Sequence, residues 1–141
     1  MPREDQRHIT GLLTELLGRA EIEKRFEWAR GDSRQPGGLG AMLPFDAVWE
    51  HRRLIVEIDE RQHGEAVAFF DKPDRMTVSG VHRGEQRRLY DERKVRCAHE
   101  HGYTVLRVRT SSLAHRGRHL IHDRDKDLEL LRRLLSEVGI G

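Results

Sequence analysis

Residues 43–63 read LPFDAVWEHRRLIVEIDERQH, two strongly apolar stretches with acidic residues set inside them. Side chains alternate along a strand, so in LIVEID the residues Leu54, Val56 and Ile58 fall on one face and Ile55, Glu57 and Asp59 on the other. Glu57 and Asp59 therefore point the same way. Just upstream, Asp46 interrupts the apolar run of Phe45, Ala47 and Trp49, and a turn around Glu50 to Arg52 can fold that strand back beside the next. The expectation is that the carboxylates of Asp46, Glu57 and Asp59 meet on one sheet face. Like charges held that close repel one another, which costs stability unless a cation neutralises them. A divalent metal is the natural occupant; the competing reading is an exposed strand whose acids pair with Arg52 and Arg53.

Outward from this stretch the chain divides into regular segments. A stripe of Ile9, Leu12, Leu13, Leu16 and Leu17, stopped by Gly18, predicts a helix from about Arg3 to Leu17. Ala20, Ile22, Phe26 and Trp28 alternate, with Lys24 the exception, and predict a strand from Ala20 to Trp28. The Gly-, Pro- and Ser-rich segment from Arg30 to Met42 reads as a surface loop, followed by the acidic hairpin from about Pro44 to Glu60. Residues from Gly64 to Gly84 show little periodicity and include Pro73 and Gly80, the pattern of a long excursion. A polar helix from about Glu85 to His101 ends at Gly102, a strand runs from Tyr103 to Val108, and a last helix spans about Asp123 to Val138. Leu128, Leu130, Leu131, Leu134 and Leu135 form that helix's apolar face, with Asp123 and Asp125 at its positive N-terminal end. The leucines near both termini, with Trp28 and Trp49, are expected in the core.

Length and composition bound the function. The 141 residues suit one domain, 1–141, with a single core. Charged residues make up 35% and hydrophobic ones 36%, so the surface is very polar. The formal charge is only +2, but the signs segregate: acids gather around the hairpin while arginines run through 83–96 and 107–118. Lysine occurs only at 24, 72, 94 and 126, and arginine is the better bidentate partner for phosphate. Arg87, Arg88, Arg93, Lys94 and Arg107 are the candidate nucleic-acid contacts, as a phosphate-binding rim; a solvated charged face is the competing view. The single Cys97 forms no internal disulfide and suits a reducing, cytoplasmic setting. MPREDQRHIT lacks the apolar core of a signal peptide, and no membrane-length apolar run is present.

The order of segments, together with PFDAVWEHRRLIVEIDERQH and YDERKVRCAHEHGYTVLRV, resembles the PD-(D/E)XK nuclease superfamily over about residues 7–112. It looks most similar to the branch of very-short-patch-repair endonucleases and phage homing-endonuclease domains. The residues carrying the likeness are Asp46; then Glu57, Asp59, Gln62 and His63; then Asp91 and Lys94; then Gly102, Tyr103, Val105, Leu106 and Arg107. The resemblance implies a restriction-endonuclease-like α/β fold, a central mixed four-stranded sheet flanked by helices. It further implies a DNA endonuclease using Mg²⁺, or Mn²⁺, held by Asp46, Glu57 and Asp59. His63, Asp91 and Lys94 complete the expected catalytic set.

Two departures stand out. The Lys usual two positions after the strand Glu is replaced by Asp59, which leaves His63 and Lys94 as alternatives for the proton-transfer or water-orienting role. The Gly that often follows the strand Asp is Glu60. The chain has no room for a separate DNA-reading module, so recognition would fall to its own loops, a homodimer or a partner. A non-catalytic nucleic-acid-binding subunit with the same fold is the alternative function.

Overall fold

A computed structural model of the chain describes residues 4–60, 83–117 and 119–140. Helix α1 (Glu4–Leu17) is followed by strands β1 (Glu21–Arg30), β2 (Met42–Trp49) and β3 (Leu54–Asp59), helix α2 (Arg83–Glu100), strand β4 (Thr104–Arg109), the short strands β5 (His115–Arg116) and β6 (His119–Leu120), and helix α3 (Arg124–Glu137). The first four strands form one mixed sheet in the order β1-β2-β3-β4. β1 and β3 lie antiparallel to β2, and β4 runs parallel to β3. The order of helices and main strands is thus what the periodicity predicted, and the α/β arrangement with a four-stranded mixed sheet is what the resemblance implied; the β5–β6 hairpin was not foreseen. The expected excursion from Gly64 falls mostly outside the described residues, and α2 begins at Arg83, two residues before the expected start.

The apolar alternation sorts the core into two layers. Ala47, Trp49, Leu54, Val56, Leu106 and Val108 pack against Ile9, Leu12, Leu13 and Leu17 of α1 and Leu131 and Leu135 of α3. Phe45, Val48, Ile55 and Tyr103 face the other way, toward Ala98 of α2. Each large side chain so buried contributes about 1.5–3 kcal/mol of hydrophobic free energy, and the first layer holds most of them. Trp49 also donates its indole N–H to the Gly18 carbonyl (2.9 Å), anchoring the end of α1 on the sheet. Gly18 itself sits at φ +91°, where a side chain would be strained.

Helix α2 is held differently. Its sequence lacks an apolar stripe, and Ala98 is its one fully buried residue. Polar contacts fix it instead. Arg93 pairs with Asp32 (2.9 Å) and donates to the Arg30 carbonyl (3.0 Å), while Tyr90 Oη accepts from the Asp32 N–H (2.7 Å). These bonds tie α2 to the loop between β1 and β2. Glycine is required in that loop: a Cβ at Gly40 would come within 1.8 Å of the Gly31 carbonyl oxygen.

Among the described residues one carboxylate is buried outside the sheet. Asp127, 1% exposed on α3, accepts from the Ala114 N–H (3.0 Å) and pairs with His8 of α1 (2.7 Å). A buried donor left without its partner costs about 1–3 kcal/mol. Asp127→Ala is therefore expected to lower unfolding free energy in urea by about 1–3 kcal/mol, whereas Glu129→Ala, on the exposed side of the same helix, should change it by less than about 0.5 kcal/mol. Equal effects would show that Asp127 is not a structural tie.

Candidate functional site

The strand alternation breaks at Asp46. Phe45 packs on the α2 side of the sheet, yet Ala47, two residues on, packs on the α1 side. On β1 the pairs Ile22–Ala47 and Lys24–Phe45 flank this point, and the intervening Glu23 takes φ +53°, unusual for a residue with a side chain. Backbone held in such a region marks a place where the surroundings enforce a local shape. The β2–β3 ladder runs only as far as Ala47 and Val56. Beyond it, side chains take over the pairing: Ile58 N–H donates to Asp46 Oδ2 (2.7 Å), and Asp46 N–H donates to Glu57 Oε2 (3.0 Å). The two acids are thereby held side by side between splaying strands.

Two further groups complete the cluster. Lys94 reaches from α2 to form an ion pair with Glu57 Oε1, its side chain 14% and that of Glu57 12% exposed. The Lys94 ammonium also lies 4.9 Å from the Phe45 ring centroid, over its electron-rich face. From the other side of the sheet, Gln6 of α1 donates its amide to Asp46 Oδ1 (3.3 Å). The two helical layers thus both touch the acidic pair. Burial pushes the Glu57 carboxyl up to about 7; the attraction of Lys94 opposes this without cancelling it, and the charge of Asp46 adds to it. Uncompensated negative charge is what a cation site requires.

The remaining sequence candidates are distributed around this pair. Asp59 lies on the same face of β3, two residues beyond Glu57, and stands opposite Arg109 in the parallel ladder as Glu57 stands opposite Arg107. The expected convergence of three carboxylates is not what the fold produces: among the described residues no group of three or more His, Cys, Asp or Glu side chains is poised around a common point. Asp91 is on α2 one turn before Lys94 and is half-buried. His63 lies outside the described residues.

Among the candidate phosphate-binding arginines, Arg88 pairs with Glu85 and Glu92, and Arg93 serves the α2 clasp described above. Arg87 sits half-buried on α2, whereas Arg107 is exposed on β4. Gln6, Tyr90 and Asp32 were missed by sequence reasoning. Gln6 precedes the apolar stripe of α1 with no local mark, and the Tyr90–Asp32 bond links residues far apart in the chain.

The donor set suits Mg²⁺, which takes one or two protein carboxylates and fills its other positions with water and phosphate oxygens. Asp46 and Glu57 meet that count. Among the described residues no helix is long and apolar enough to cross a membrane. Comparisons with protein-family models, curated proteins and solved structures find no match for this chain.

The raised proton affinity of Glu57 has a measurable consequence. The folded chain holds this proton more tightly than the unfolded chain, so the group's contribution to stability is fully present below about pH 4.5 and is lost as pH rises to about 7. In EDTA, wild-type unfolding free energy should fall across that window, on the order of a few kcal/mol, relative to Glu57→Gln. Parallel pH profiles for the two proteins, read by urea unfolding, would contradict an uncompensated buried carboxylate.

Proposed function

We propose that this chain is a Mg²⁺-dependent DNA endonuclease of the restriction-endonuclease-like fold, hydrolysing phosphodiester bonds, with Mn²⁺ as the alternative ion. The observation that carries the reading is the partly buried pair Asp46 and Glu57, held by exchanged backbone bonds and answered by a lysine from a different element. A cluster so built is costly to folding alone, since burying a charge without full compensation destabilises the native state. Such an arrangement is expected where chemistry needs it.

In this reading Asp46 and Glu57 hold the ion, with Asp59 next along the same face. When bound, Mg²⁺ supplies charge neutralisation at the scissile phosphate and a more acidic water. The chain's own groups do the rest. Lys94 donates its ammonium protons to the phosphate oxygens, whose negative charge grows as the water oxygen bonds to phosphorus and the bridging P–O bond breaks. Arg107, exposed opposite Glu57, steadies an adjacent phosphate of the same strand. Gln6 and the exchanged backbone bonds keep the Asp46 carboxylate aimed. The position two residues after Glu57, where the resembling family carries its lysine, is Asp59; Lys94 brings an ammonium to the pair from α2 instead. Asp91 and His63 remain the candidates for moving a proton to or from water.

Supercoiled plasmid should be nicked or cut in Mg²⁺ and left intact in EDTA. Asp46→Ala and Glu57→Ala should each lower the rate by at least about 10³-fold, and Lys94→Met by about 10²-fold or more, with circular dichroism unchanged. Cleavage retained by both acid variants would refute the assignment. Binding of DNA without cleavage in any metal would favour the non-catalytic subunit.

A further inference from the structure

The β5–β6 hairpin is an exposed two-stranded ribbon with His115 opposite Leu120 and Arg116 opposite His119. His115, Arg116 and His119 are all exposed, and Ile121 at its foot is left 54% exposed. A solvent-facing ribbon this short, with few apolar contacts of its own, would ordinarily fray. Here its root is clamped instead. Ile121 N–H donates to the Ala114 carbonyl (2.9 Å), and Ala114 N–H donates to the buried Asp127 (3.0 Å). Asp127 in turn holds His8, whose ring stacks on His122 at 4.4 Å, and His122 is bonded to Asp5 (2.7 Å). Two carboxylate–imidazole pairs thus fix both feet of the hairpin to α1.

The root is tied to the first turns of α1, the helix whose Gln6 side chain also reaches Asp46. The hairpin also follows β4, which ends at Arg109 beside Asp59, so it leaves the sheet at the end where the acidic face of β3 terminates. Arg107 and Arg109 of β4 are exposed, as are Arg116 and His119 of the ribbon.

We propose that the β5–β6 hairpin is a DNA-contacting arm, in which Arg116 and His119 engage the backbone of duplex flanking the bond at the acidic pair. This rests on the nuclease reading above for the identity of the polymer. A two-stranded ribbon fits a DNA groove, and arginine on its rim contacts phosphate with geometry that ammonium lacks.

The test is binding of a fluorescent duplex by the full chain in EDTA, where no cleavage is needed, from 50 to 200 mM salt (roughly the range over which phosphate contacts are read out). Arg116→Glu should weaken binding by about tenfold or more and lower the slope of log affinity against log salt by about 1. Arg116→Lys, which keeps the charge but not the bidentate geometry, should recover the salt slope and part of the affinity, which a purely structural role would not require, and Arg133→Ala on α3 should stay within about twofold of wild type. Wild-type affinity and slope in Arg116→Glu, with wild-type plasmid cleavage, would overturn the arm and leave the nuclease reading standing. Wild-type protein that neither binds nor cuts DNA would overturn both. Hairpin-dependent binding of RNA in place of duplex DNA would overturn the DNA arm alone.

Discussion

The structure turns on a carboxylate, Glu57, taken out of water with less positive charge around it than its negative charge demands. Two strands stop pairing through their backbones at that point, and the Asp46 and Glu57 side chains stand in for the missing ladder bonds. The distortion spreads into β1, where Glu23 adopts a left-handed backbone. It also dictates how α2 is used. With almost no apolar surface to bury, that helix is held largely by polar contacts, and one of them is the Lys94 ammonium at Glu57. The least hydrophobic of the described helices is thus docked partly through the candidate site, so charge at the site and position of the helix are linked.

The remainder of the framework is conventional in its energetics. α1 and α3 bury leucine and isoleucine against one face of the sheet, and this layer supplies most of the hydrophobic free energy. Because that support is independent of the acids, the site can carry an unfavourable charge without unfolding the domain. α1 contributes on both accounts: Ile9 and Leu13 pack in the core, while Gln6 and His8, on the preceding turn, connect the core to Asp46 and to Asp127.

Much of this was legible in the sequence where a strong period exists. The leucine stripes of both terminal helices and the alternation of β3 located the main elements, because burial leaves a regular mark on residue type. The acids of the site were legible for the opposite reason, as polar interruptions in apolar runs. What could not be read was the break of alternation at Asp46: Phe45 and Ala47 have strand spacing, yet face opposite layers, and only the tertiary ladder reveals it. For the same reason Asp59 was expected in a three-acid cluster, since a regular strand would have set all three in line. The clasp of Tyr90 and Arg93 on the β1–β2 loop, and the clamp of His8 and Asp127 on the hairpin, join residues too distant in the chain to leave any local signature.

Among the described residues strand β1 borders the sheet, and a bare border is the usual starting point for runaway addition of further chains. Here Glu21, Glu23, Arg25 and Glu27 put a charged side chain at every second position from its start to Glu27, and the kink at Glu23 interrupts its flatness. The irregularity that shapes Asp46 on the neighbouring strand therefore has a second effect. It denies fibre growth a straight template, so the feature that burdens the native state with misplaced charge also helps keep separate molecules apart.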